Sequence, residues 1–194
     1  DESIPLGKDI LTAGADALCL NLGNITDVRM ESMDLAAREA RRRGIPMVLD
    51  LVGVGCSPLR LDFAEGLVAR YRPPLIKGHR SELAALFEKR LTARGVDADR
   101  PSPAPAALAE TARQMAARWQ TTVLMSGPDD LISDGERPIL CHNGHPMLGE
   151  LTGTGCMLGA LCATYMSVGT PLEGALLATL SEGIAGELAA RITK

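Results

Sequence analysis

The chain has 194 residues, of which 46% are hydrophobic and 23% charged, and its net charge is −4; such totals describe one globular domain with a sizeable core. The only basic run, Arg41-Arg42-Arg43, suits the last turn of a helix, which argues against a nucleic-acid surface, and no apolar run has membrane-spanning length or reads as a signal peptide. The five cysteines are odd in number and scattered without a C-x-x-C pair, which fits a reduced, cytoplasmic setting better than a disulfide scaffold or a zinc site.

Aromatic residues are only 3% of the chain, so the core must be built from aliphatic side chains. Residues 5–14 suggest a short helix closed by Gly14. Ala15–Leu22 is short and apolar and predicts a buried strand. A helix starts after Thr26, a good N-cap, and its apolar stripe of Met30, Met33, Leu35, Ala36 and Ala40 runs down to Gly44. Ile45–Leu49 predicts the next strand, with Asp50 at its C-terminal end. Gly53-Val54-Gly55 follows as a loop, and Ser57-Pro58 opens a helix over about 59–71. Leu75–Lys77 predicts a brief strand and Glu82–Arg90 a helix. The Pro-rich stretch 95–105 reads as a surface loop. A helix over 106–119, a strand over Thr121–Met125 and two short antiparallel strands, Leu131–Ser133 and Pro138–His142, come next. Turns are expected at Asp134-Gly135 and at Asn143-Gly144, the latter as a hairpin turn rather than a metal site. Helices over 155–168 and 172–191 close the chain. Strand and helix alternate for most of the length, which is the pattern of an α/β fold with a mainly parallel sheet. Ligands in such sheets bind beyond the C-terminal strand ends, where Asp50, Lys77 and Ser126 all fall.

The stretch Thr152-Gly153-Thr154-Gly155-Cys156 carries the strongest chemical signal. A helix that starts at a glycine turn presents free N–H groups and the positive end of its dipole to whatever lies in front. The amides of Gly153–Cys156 therefore make a candidate anion hole for a phosphoryl group in transfer. Cys156 opens that helix, a position that favours thiolate. Asp50, beside a flexible glycine loop, is suited to hold Mg²⁺ through water, as is Glu82 in the first turn of its helix. Lys77 offers a point charge to a nucleotide phosphate, and Ser126-Gly127 a hydroxyl and a backbone amide. The glycine spacing matches neither a dinucleotide fingerprint nor a Walker loop.

The turn Thr152–Cys156 resembles the late motif of the ribokinase-like superfamily, and its cysteine resembles hydroxyethylthiazole kinases in particular. Other pieces agree in order: Leu20-Asn21-Leu22-Gly23, Val48–Gly55, Ile76–Glu82, Met125-Ser126-Gly127 and Asn143-Gly144-His145-Pro146. The resemblance implies a three-layer ribokinase-like fold with a mainly parallel central sheet flanked by helices. It implies one kinase domain over 1–194 that lacks the family's N-terminal unit and final helix. It further implies transfer of the ATP γ-phosphoryl to the alcohol of 4-methyl-5-(2-hydroxyethyl)thiazole in thiamine biosynthesis or salvage. On this resemblance Lys77 and Ser126 contact ATP, and Asp50 and Glu82 hold Mg²⁺. Gly153 touches the thiazole alcohol, Gly153, Thr154, Gly155 and Cys156 form the anion hole, and Cys156 occupies the base position. A homotrimer acting on a small molecule is expected, with no nucleic-acid or membrane partner. Two departures stand out. Leu51 replaces the family's usual proline, which predicts a looser loop after Asp50, and His79 stands where the family has asparagine. Both departures favour the rival of a non-catalytic ligand-binding relative. A second rival is another ribokinase-like enzyme such as NAD(P)H-hydrate dehydratase, against which Cys156 argues because those enzymes carry aspartate there.

Overall fold

The computed structural model describes residues 14–91 and 104–192. The expected helix over 5–14, apart from Gly14, and most of the Pro-rich loop lie outside the described residues. Six strands form one sheet in sequential order. They are β1 (Leu18–Asn21), β2 (Met47–Asp50), β3 (Leu75–His79), β4 (Thr122–Ser126), β5 (Asp130–Ser133) and β6 (Pro138–Cys141). β1 to β4 pair in parallel, and β5 and β6 extend the sheet antiparallel. The helices are α1 (Asp27–Arg43), α2 (Pro58–Tyr71), α3 (Arg80–Glu88), α4 (Pro105–Trp119), the single turn α5 (Met147–Glu150), α6 (Thr154–Met166) and α7 (Pro171–Ile192).

Local signals set most of these boundaries. The Thr26 hydroxyl accepts the Arg29 amide at 3.3 Å and starts α1, and Gly44 ends it in the left-handed conformation at φ 70°, which glycine adopts without steric cost. Ser57 caps α2 with Pro58 in its first turn. Pairing corrects two strand limits. Of the first apolar run, Leu18–Asn21 forms the strand in register with β2, and Leu22 adds its amide bond to Asp50 O at 3.0 Å. β3 runs two residues beyond Lys77 because Gly78 and His79 pair with Met125 and Ser126. Its helix therefore begins at Arg80 rather than Glu82.

The period-2 alternation of the strands separates two cores. Met47, Leu49, Ile76, Val123, Met125 and Leu131 face the layer of α1 to α4. Val48, Leu75, Leu124 and Ile132 face α6 and α7. The same alternation turns Asp50 and Lys77 toward the α6/α7 face, two residues beyond Val48 and Leu75, where they are register partners. The sheet's polar end therefore lies under the start of α6 rather than in open solvent.

Two sequence expectations are corrected. Asn143-Gly144 is not a hairpin turn: β6 ends at Cys141 and no strand follows, because the chain turns into α5. Leu51 does not loosen the loop after Asp50. Its side chain is fully buried, its amide donates to Lys77 O at 2.9 Å and its carbonyl accepts Val54 N at 2.9 Å. A proline there has no N–H to make the first of these bonds.

Candidate active site

The site is built where β2, β3 and β4 end beneath the first turn of α6. Gly153 precedes that helix at φ 104°, a left-handed angle that favours glycine. The first backbone bond of the helix runs from Met157 N to Gly153 O at 2.9 Å. The amides of Thr154, Gly155 and Cys156 therefore have no carbonyl within the helix to donate to. The Thr154 hydroxyl donates to Leu148 O at 2.9 Å and ties this mouth to α5.

A buried clamp fixes the mouth to the sheet. Lys77 is 2% exposed and Asp50 is fully enclosed. Lys77 Nζ donates to Asp50 Oδ1 at 3.1 Å and to Gly155 O at 2.6 Å. Asn21 Nδ2 donates to the other Asp50 oxygen at 2.8 Å. An ammonium has three donors, so one N–H of Lys77 is left for a further acceptor. Gly159, one turn along α6, makes the close approach possible. A Cβ there would lie 3.1 Å from Asp50 Oδ2 and 3.5 Å from Cys19 Sγ. The spacing of Gly155 and Gly159 thus has a packing cause, because both sit against the clamp. Burial raises the Asp50 pKa from its ordinary value, and the Lys77 charge and hydrogen bond oppose the rise. Burial also pushes the Cys19 thiol up to about 12, so it is inert beneath the site.

The second acid sits beside the clamp. Glu82 Oε1 accepts the Gly53 amide at 2.7 Å and Oε2 accepts the His79 amide at 2.8 Å, which binds the start of α3 to the loop after β2. Glu82 keeps part of its side chain at the surface. A carboxylate has about four lone-pair sites, so these two bonds leave Glu82 able to meet a hydrated cation through water. Asp50 is bonded on both oxygens and reaches no surface. Of the two acids expected to hold Mg²⁺, only Glu82 therefore keeps exposed surface. Among the described residues no group of three or more His, Cys, Asp or Glu could hold a metal ion. His79 Nδ1 lies 3.2 Å from Ser126 Oγ, so this histidine links the ends of β3 and β4. The Gly127 amide turns to Asp130 Oδ1 at 3.0 Å.

A cavity of about 630 Å³ opens on one side of the α6 mouth. Ser126, His79, Thr154, Gly155, Asn143 and Glu182 all line it. Cys156 and Met157 are exposed and do not border it. The helix mouth thus separates a deep cavity from a second, open side marked by Cys156. In-line displacement needs this division, because the nucleophile and the leaving group occupy opposite sides of the transferred phosphorus.

Sequence reasoning gave no role to Glu182, Thr179, Asn21 or the Asn143-Gly144 turn. Glu182 carried one usable signal. It is the charged residue on the small-residue face of α7, among the buried Ala175, Ala178, Gly183 and Gly186. Asn143 and Gly144 meet α7 closely. A Cβ on Gly183 would come within 2.8 Å of Asn143 Cβ, and Gly144 N donates to Glu187 Oε1 at 2.9 Å.

Known proteins resemble this chain over nearly its whole length. A model of the HK, or hydroxyethylthiazole kinase, family matches residues 8–194. A hydroxyethylthiazole kinase 2 from Clostridium botulinum (strain Langeland) is 38% identical over 192 residues, covering 97% of this chain and 72% of the relative. The solved hydroxyethylthiazole kinase protein from Pyrococcus horikoshii OT3 superposes with a TM-score of 0.85 at 30% identity, covering 96% of this chain and 68% of that one. A ribokinase-like superfamily protein from Enterococcus faecalis V583 shares the fold alone, with a TM-score of 0.68 at 14% identity over 98% of this chain and 60% of its own. No helix among the described residues is long and apolar enough to cross a membrane. The matched motifs, the shared fold and the clamp-held helix mouth lead to one assignment: the chain belongs to the hydroxyethylthiazole kinase family.

Proposed function

We propose that this chain transfers the γ-phosphoryl of ATP to the primary alcohol of 4-methyl-5-(2-hydroxyethyl)thiazole. One observation carries the reading. The free amides at the α6 mouth are held at the sheet rim by the Lys77–Gly155 O bond of 2.6 Å, facing a cavity of about 630 Å³. That volume falls within the range of small-molecule and cofactor sites.

ATP would occupy the cavity, with Ser126 along its phosphates and the remaining N–H of Lys77 beneath them. Thr154, Gly155 and Cys156 donate their amides to oxygens of the moving phosphoryl, where charge accumulates in a loose transition state. The acceptor alcohol would approach from the Cys156 side, against Gly153. Cys156 would take the alcohol proton. A weak base suffices, because general-base catalysis supplies only about 10²–10⁴-fold while positioning and electrostatics supply the larger share. Glu82 would hold Mg²⁺ through water, and the ion would neutralise phosphate charge. Asp50 would act from below by fixing Lys77. The same reading extends to a cytoplasmic homotrimer, which the mass in solution tests.

Family membership favours this activity over a dehydratase. His79 does not favour the non-catalytic rival, because its amide still engages Glu82 and its ring engages Ser126. The test is mass-spectrometric detection of phosphorylated hydroxyethylthiazole after incubation with ATP and Mg²⁺. Product with ATP and none without it supports the proposal. ATP binding in calorimetry without product selects the non-catalytic relative.

A further inference from the structure

α7 buries two polar groups that nothing among the described residues satisfies. Glu182 is 9% exposed and Thr179 is 1% exposed. Glu182 Oε1 and Thr179 Oγ1 are both enclosed without a hydrogen-bond partner. The two residues are three apart on one helix and so share a face, and both border the cavity beside the α6 mouth. Burying a polar group without a partner is unfavourable, so the persistence of both on a cavity wall points to an occupant that completes them.

The nature of that occupant follows from what surrounds the pair. A phosphate is excluded from this wall by a carboxyl group, and the free amides of Thr154–Cys156 already offer phosphate a better place. A base acting on the acceptor alcohol belongs on the Cys156 side, which this cavity does not include. Leu148, Leu158, Pro146 and the glycine backbone of Gly144 and Gly183 line the same cavity, and they offer apolar surface to a flat ring with polar atoms at one edge. Burial pushes the Glu182 carboxyl up to about 7, with Asp130 adding to the rise and Lys77 opposing it. Near neutral pH the group is thus available in both forms, and either form accepts a hydrogen bond from an amino group.

We infer that Glu182, supported by Thr179, reads the base of the nucleotide by accepting a hydrogen bond from the exocyclic amino group of adenine. This inference rests on the cavity being the ATP site. It makes Glu182 a specificity residue on the donor side of the reaction.

The experiment measures binding by calorimetry and transfer by steady-state kinetics. It compares ATP, purine riboside triphosphate (hydrogen in place of the amino group) and 2′-deoxy-ATP. The proteins are the wild type, Glu182→Gln, which keeps a carbonyl acceptor, and Glu182→Leu, which does not. The wild type should prefer ATP over the desamino analogue by about ten- to a hundredfold, the range of a hydrogen bond to a charged or buried group. Glu182→Gln should keep most of that preference. Glu182→Leu should bring it close to one by weakening ATP, with KM for ATP rising more than kcat falls. An unchanged preference in Glu182→Leu overturns the inference. So does a collapse confined to the ATP against 2′-deoxy-ATP ratio, which would assign the carboxyl to the ribose. Selective ATP binding without transfer to the thiazole alcohol overturns the kinase reading and leaves this inference standing. Absence of ATP binding overturns both.

Discussion

Replacing Lys77 by methionine tests the clamp beneath the active site. The two charged side chains are 3% and 0% exposed and meet at 3.1 Å. Methionine fills most of the lysine stem, so little cavity forms. The charge, however, disappears. Asp50 is then left enclosed with Asn21 as its remaining hydrogen-bond partner, and Gly155 O loses its donor at 2.6 Å. Removing one partner of a buried ion pair costs about 3–5 kcal/mol, because the other charge stays buried without compensation. Urea denaturation should therefore show Lys77→Met destabilised by that amount at an unchanged m-value. The double variant Asp50→Asn, Lys77→Met removes both charges and keeps the amide geometry, so it should recover most of the loss. Loss below about 1 kcal/mol in the single variant, or no recovery in the double, would refute the view that a buried charge pair seats α6.

Three further outcomes follow from the same geometry. Gly155→Val should abolish phosphoryl transfer, because a Cβ at this position lies 3.3 Å from Lys77 Nζ and the branched side chain must displace the ammonium; retained turnover would remove the helix mouth from the mechanism. Cys156→Asp should keep or raise turnover, since an exposed carboxylate is already ionised at neutral pH and free to take the alcohol proton; a collapse of kcat would show that the thiol does more than accept a proton. Glu182 predicts a pH dependence of stability. Its folded pKa of about 7 exceeds its ordinary 4.5, so the native state binds the proton more tightly and stability falls as pH rises through that window. Melting temperatures of the wild type and Glu182→Gln, compared between pH 4.5 and 7, should diverge, with the variant flatter; parallel curves would deny the shift.

Much of the fold was legible in the sequence because its signals act over a few residues. Thr26 and Gly44 delimit α1 through one side-chain bond and one left-handed backbone angle. The apolar runs of β2 and β4 fix strands whose polar ends are Asp50 and Ser126. The glycine turn at Gly153–Gly155 announces a helix mouth with free amides, since those amides are orphaned by helix geometry itself. Even the direction of Asp50 and Lys77 was implicit, as residues two apart on a strand share a face.

Tertiary contact decided what lies against that face. Lys77 and Gly155 are 78 positions apart, and no local rule says that a lysine at a strand end is buried rather than solvated. Asn143-Gly144 has the composition of a hairpin turn, but a hairpin needs a second strand, and α7 takes up the loop instead. Leu51 reads as a loosened loop until the neighbouring strand supplies an acceptor for its amide. Glu182 reads as one of several polar residues on a largely apolar helix, and only the cavity beside it sets it apart. Most helices, the existence of the strands and the mouth of α6 follow from local sequence, because propensity, capping and periodicity are short-range effects. Which polar groups meet across the sheet, and which are left waiting for a ligand, depended on packing between segments far apart in the chain.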